Sequence, residues 1–314
     1  MTVAAALLLY VVAVLAAGPK LLLVITADGG APRLAIAAWL TAVVTVLGCS
    51  IAAIALLLIE AAGHWNSPDA LLVSCLERLE AILLGQSGGP ARVVATAAVA
   101  LAIGSVVAIG VRVGCALSRM RSHTFAHADA VRLVGQSDGS DVVIIEAAEP
   151  AAYCVAGRPP AIVVTTAALA ALDERQLAAV VAHERAHLDG RHAYLVAAVR
   201  GLAAGLPRVR LFADAATQVS SLLEMCADDA AARRHGNHPL LAGLLTLSGA
   251  ITPAHGLAAA GVAVLVRAER LTAARNGHTH IRSRLTLSGA VAAMAATPLA
   301  IAVLSLSGAL ICFA

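Results

Sequence analysis

Apolar runs separated by short polar breaks dominate the first third of the chain and return at its end. Residues 3–26, 34–60, 93–116 and 286–313 are each long and apolar enough to cross a bilayer, which takes about twenty residues of helix. The first run begins without Lys or Arg, so it lacks the basic start of a secretory leader and is expected to stay as a span, with a cleaved leader as the alternative. Pro19 and Lys20 blur its end, while Gly48, Gly104 and Pro298 inside the other runs are compatible with membrane helices. Residues 64–89 carry a helix pattern of their own. Ser67 can cap it, Pro68 suits the first helical position, and Leu72, Leu76, Leu79 and Leu83 recur at helical spacing before Gly85. This segment is read as a helix packed over the bundle, with a surface-sensing interfacial helix as the alternative.

The pattern changes after residue 116. Residues 117–142 are polar, and two β-branched runs follow, Val142-Val143-Ile144-Ile145 and Ala161-Ile162-Val163-Val164-Thr165, the second preceded by the turn signal Arg158-Pro159-Pro160. Helical spacing then takes over. Asp173 with Gln176 forms a capping box, Leu177, Val181 and Leu188 make an apolar stripe, and Gly190 is expected to end the helix. The apolar run 193–206 is too short to span and contains Arg200, so it is read as a core or membrane-grazing helix before Pro207. A further helix carries Glu224. Residues 239–266 are apolar but interrupted by Pro253, His255 and glycines, and are expected not to span.

Composition agrees with a membrane protein. The 314 residues are 60% hydrophobic and 13% charged, against roughly half and a quarter in soluble domains. Mean hydropathy is +0.86. The net charge of +3 comes without a basic cluster interleaved with aromatics, which argues against direct nucleic-acid binding. The six cysteines form no Cys-x-x-Cys pair, so neither a disulfide framework nor a thiolate zinc site is indicated. Arginines set the orientation. Arg112, Arg119 and Arg121 flank the third run and Arg275, Arg282 and Arg284 precede the fourth, which puts residues 117–284 in the cytoplasm and both termini outside. The 64–89 loop, with Asp69, Glu77 and Glu80 against Arg78, is expected outside.

Chemistry enters with His183-Glu184-Arg185-Ala186-His187. Residues four apart share a helix face, so His183 and His187 can bind one metal ion together. Glu184 is then placed to take a proton from the attacking water. Glu224 is the expected third protein ligand, giving a His-His-Glu zinc site of the hydrolytic type with one Zn²⁺ per chain. Asp228, one turn further on, can hold a ligand histidine through its second nitrogen. His192 is the rival third ligand, but the extended His-x-x-Gly-x-x-His motif is out of register by one residue, and His192 is read as a polar residue at the helix end. His123 and His127 are read as part of a hydrated membrane-flanking helix. His235, His238, His278 and His280 stand in polar, loop-like contexts, any of them a candidate donor to an oxyanion. This pattern points to a zinc metalloendopeptidase.

The order of three apolar spans, a His-Glu-x-x-His domain and a fourth span resembles the membrane zinc peptidases of the bacterial β-lactam sensor-transducers, an antirepressor family. The resemblance rests on Ala152-Tyr153-Cys154-Val155 with Gly157-Arg158, on Ala182 through His187, and on Glu224 through Asp228-Asp229-Ala230. It implies that residues 151–155, Ala152, Tyr153, Cys154 and Val155 among them, bind extended peptide by strand addition. It also implies an arginine near the site, which falls on Arg267 or Arg270. The implied partner is a cytosolic winged-helix repressor. The apolar run reaches Ala314, so the extracellular penicillin-binding sensor of the best-known members is expected to be missing.

The expected protein is therefore a mainly α multi-pass membrane protein. Four transmembrane helices carry a cytoplasmic α+β domain of zincin type with a glutamate ligand. Its parts are a three-helix region 1–116 with the external loop 64–89, a zinc peptidase domain 117–284, and a C-terminal span 285–314. Its expected role is repressor cleavage in signal transduction. Processing or quality control of membrane proteins is the second reading and a catalytically silent scaffold the third, which an intact Glu184 disfavours.

Overall fold

A computed structural model describes residues 3–63, 104–115, 117–119, 135–137, 141–157, 159–249, 257–272 and 277–306. The helix pattern at 64–89 and the pair His123 and His127 lie outside these residues. Helices α1 (Val3–Thr26) and α2 (Pro32–Gly63) pack along each other. Ala35, Ala38, Ala42 and Ala53 of α2 are buried, and such small side chains let two helix backbones approach closely. Pro19 lies inside α1 and does not end it, so the expected blurred end becomes a continuous helix to Thr26. Leu9, Val12, Val24, Ile51 and Ile59 stay exposed, as an apolar solvent around the bundle allows.

The last described helix, α9 (Gly277–Leu306), joins α1 and α2, and the Tyr10 hydroxyl donates to the Met294 carbonyl at 2.8 Å. The helix starts well before the apolar run that announces it, because Arg282 and Arg284 continue it across the polar boundary. Among the described residues three helical segments are long and apolar enough to cross a membrane: Val3–Thr26, Pro32–Ile59 and His280–Ser305. The third expected span lies partly outside the described residues, of which 104–115 are helical.

The middle of the chain forms a four-stranded sheet of order β1-β2-β4-β3, from Gln136–Ser137, Val142–Ile145, Ala152–Val155 and Ala161–Thr165. β4 is buried at every residue and pairs with β2 in parallel and with β3 antiparallel, Tyr153 opposite Val163. β3 is an edge strand. Helices α3 (Thr166–Ala171), α4 (Glu174–Asp189), α5 (His192–Gly205) and α6 (Arg210–His235) follow. The run 239–266 becomes two helices, α7 (Asn237–Gly249) and α8 (Leu257–Thr272), neither of them a candidate span. His235, His238, His278 and His280 are corrected from loops to helix ends: His235 closes α6, His238 lies in α7, and the last two lie in α9.

α6 joins the two halves. Leu211, Phe212, Val219, Leu222 and Leu223 share one apolar core with Trp39 and Val43 of α2 and Leu7 and Leu22 of α1. α5 meets the helical residues 104–115 and 117–119 at Gly201 and Gly205, where any Cβ would run into Leu117 and Val113. Two small residues four apart allow that contact, as in membrane helix pairs.

Candidate metal centre

α4 is a helix for local reasons that the structure bears out. The Asp173 carboxylate accepts from Gln176 N at 2.8 Å and Gln176 answers to Asp173 N at 3.2 Å. One face carries Ala179, Val180 and Ala182 into the core, and His183 lies on that buried side. Gly190 closes the helix with a right-handed backbone, so its role is spatial: the His192 ring lies where a Cβ would go. Arg191 takes a left-handed φ of 51° to start α5 at once and bring that ring back over α4.

Three ligand atoms, from His183, His187 and Glu224, lie within 4.8 Å of one another. His183 Nε2 and His187 Nε2 are 3.2 Å apart, and the two Glu224 oxygens are each 3.5 Å from one of them. Two imidazole nitrogens and a carboxylate facing one another are electron-pair donors that a shared cation would satisfy. Two imidazoles and a carboxylate are also a common zinc donor set. The cluster fits a metal site.

The far side of each ring is held. His192 Nδ1 lies 2.8 Å from His187 Nδ1. This corrects the reading of His192 as a polar helix-end residue, since it is buried at the start of α5. His183 Nδ1 lies 3.2 Å from Asp228, but the approach is off the hydrogen-bond direction, so the contact is chiefly electrostatic. Asp228 is fully buried and bound by both prongs of Arg267, Nε at 2.8 Å and Nη2 at 2.7 Å. Arg267 Nη1 also reaches Glu224 at 3.2 Å. Of the two arginines considered, Arg267 is at the site, whereas Arg270 bonds Asp229 and the Gly29 carbonyl.

The charges follow from these contacts. Burial disfavours ionised Asp228, but Arg267 and His183 outweigh it and hold the carboxyl at about 2. Burial likewise opposes a charged His183, yet Asp228 and Glu224 push it up to about 9, while burial takes His187 down to about 4. Burial raises the Glu184 carboxyl, as suits a proton acceptor that must also give the proton back. The Cys154 thiol is held in its protonated form. Burial, with Glu184 beside it, pushes the thiol to about 12.

Glu184 Oε2 accepts from Cys154 N at 2.9 Å, so the edge strand runs alongside the metal helix. Thr165 N donates to the Ala151 carbonyl at 3.0 Å, which turns Ala151, and with it Tyr153 and Val155, toward β4. By the alternation of an antiparallel ladder, Ala152 and Cys154 turn their amides and carbonyls outward to the cleft. Thr165 fixes the turn before β3: its hydroxyl accepts from Ala151 N and Ala168 N and donates to the Glu149 carbonyl. Asp141 binds Arg185 and ties β2 to the metal helix.

The family model described as peptidase family M48 matches residues 121–292, more than half of the chain. No curated protein and no solved structure matches it.

Proposed function

The chain belongs to peptidase family M48, whose members are zinc metallopeptidases, and on that footing we propose that it is a membrane-bound zinc endopeptidase acting on protein at the cytoplasmic face of a bilayer. The observation that carries this reading is the convergence of His183, His187 and Glu224 beside the half-buried Glu184 and an outward-facing strand edge. His183, His187 and Glu224 hold one zinc ion, which when bound polarises the scissile carbonyl and acidifies the attacking water. Glu184 Oε2 takes the proton from that water and returns it to the leaving amide nitrogen. Asp228 and His192 fix the two rings, and Arg267 fixes Asp228 and Glu224. The edges of Ala152 and Cys154 bind an extended substrate segment as an added strand. Cys154 N–H donates to Glu184, and an added strand would compete with Glu184 for it.

The proposed topology keeps both termini outside and the catalytic domain in the cytoplasm, with the third of four spans at 93–116. Arginines beside the third and fourth runs support it. The proposed substrate is a cytosolic winged-helix repressor, cleaved in signal transduction, and the support is the resemblance in the order of spans and motifs. A second reading, processing or quality control of membrane proteins, is favoured by one observation: α6, which carries Glu224, shares its core with the apolar helices α1 and α2. Trapping decides between them. Glu184→Gln expressed in cells under cell-wall stress should leave one repressor uncut and associated with the protein. Accumulation of many membrane proteins, with the repressor intact in wild type, would establish the second reading instead.

A further inference from the structure

Beside the end of the metal helix, two cavities of about 490 and about 320 Å³ lie next to each other, both lined by Arg33, Cys226 and Arg233. Arg234 lines the larger and Arg284 the smaller. The four arginines come from the start of α2, the end of α6 and the start of α9. All four are exposed, and among the described residues none forms an ion pair. Two carboxylates line the cavities, Asp189 and Asp229, and Asp229 is bound by Arg270, so positive charge outnumbers negative there; Arg33 meets the Cys226 thiol, and among the described residues none of the four guanidinium groups has a carboxylate partner. Such a concentration of positive charge, with room between its members, calls for an anion. Arginine forks match phosphate oxygens best.

The level of the groove identifies the source. Arg33 is the second residue of the apolar segment Pro32–Ile59, and Arg284 stands one turn inside the segment His280–Ser305. Gly30 of the connecting loop lies against Ser283, so both segments enter their apolar stretches at one height. Basic pockets at the place where membrane helices leave the bilayer hold anionic headgroups. We propose that this groove binds the phosphate of an anionic bilayer lipid, with Arg33 and Arg284 on the side of the spans and Arg233 and Arg234 on the side of the catalytic domain. The lipid would clamp α6 to α2 and α9. His192 and Ala186 line the same space, so the headgroup would also lie against the back of the metal helix.

The test uses the full chain in a neutral detergent, stripped of lipid and then mixed with phosphatidylglycerol, phosphatidylcholine or inorganic phosphate, with bound adducts counted by native mass spectrometry. Wild type should retain phosphatidylglycerol at least about tenfold better than phosphatidylcholine. Each arginine at an anionic surface is worth about fivefold, so Arg33→Gln/Arg284→Gln should lose about 30-fold and Arg233→Gln alone about fivefold. Arg175→Gln, on the first turn of α4 and outside the groove, should match wild type. Melting temperatures of the variants in phosphatidylcholine, close to that of wild type, establish that they are folded. Equal retention of the two lipids would overturn the proposal, as would undiminished phosphatidylglycerol binding in the variants. Millimolar phosphate binding without a lipid preference would assign the groove to a free anion and overturn it too.

Discussion

Removing Asp228 separates what holds the fold from what holds the metal. Asp228 has no exposed surface, and the Arg267 side chain that binds it is only 13% exposed. In Asp228→Ala the guanidinium loses two short bonds and keeps Glu224 at 3.2 Å and the longer approach to His183 Nε2 at 3.5 Å. Breaking a buried ion pair from one side costs about 3–5 kcal/mol. The surviving contact with Glu224 places this case near the lower end, about 3 kcal/mol, or roughly a hundredfold in the folding equilibrium. Asp228→Ala also removes the carboxylate 3.2 Å from His183 Nδ1, and loss of such a support weakens metal binding by about 10–100-fold. The double variant Asp228→Ala/Arg267→Leu separates the effects. Replacing both charges by apolar groups should recover stability to within about 1 kcal/mol of wild type, while zinc affinity stays low because His183 still lacks its partner. Stability is read from thermal unfolding of the chelator-treated protein in detergent, and affinity from competition with a chromophoric zinc chelator. A single variant as stable as wild type, or a double variant with wild-type zinc affinity, would refute this account of the network.

His192→Ala should weaken zinc binding by about tenfold without loss of fold, and His192→Gln should restore part of it; the same chelator competition reads both. Thr165→Val leaves Ala151 N, Ala168 N and the Glu149 carbonyl without their partner, and should lower stability by about 1–3 kcal/mol in a chemical or thermal melt. Ala152→Pro deletes an outward amide on an edge strand, where proline is tolerated. It should raise the KM for peptides by about an order of magnitude with zinc content unchanged; an unaltered KM would remove strand addition from the mechanism.

Much of this arrangement is legible in the sequence because it is periodic. The spans, the capped metal helix and the runs 142–145 and 161–165 each repeat one pattern long enough to be read, and the structure places both strands at those residues. What escaped is what depends on distant partners or short pieces. β1 is two residues long and has no pattern. The Arg267 link to Asp228 joins residues 39 apart on different helices, so only the resemblance pointed near it. His192 looked like a helix-end residue because its register fails the extended zinc motif, yet the left-handed Arg191 folds it back onto His187. Pro19 left the end of the run 3–26 uncertain, and the helix passes through it to Thr26, because a membrane helix tolerates proline when neighbours satisfy its backbone.

The central claim is that His183, His187 and Glu224 hold the metal while Glu184 does the proton work, and zinc content measured beside peptide cleavage tests it most directly. Wild type and Glu184→Gln should each carry about one zinc per chain, with cleavage in the variant reduced by at least about a hundredfold. Glu224→Ala should lose the metal. Full zinc occupancy in Glu224→Ala, or undiminished cleavage by Glu184→Gln, would contradict the account.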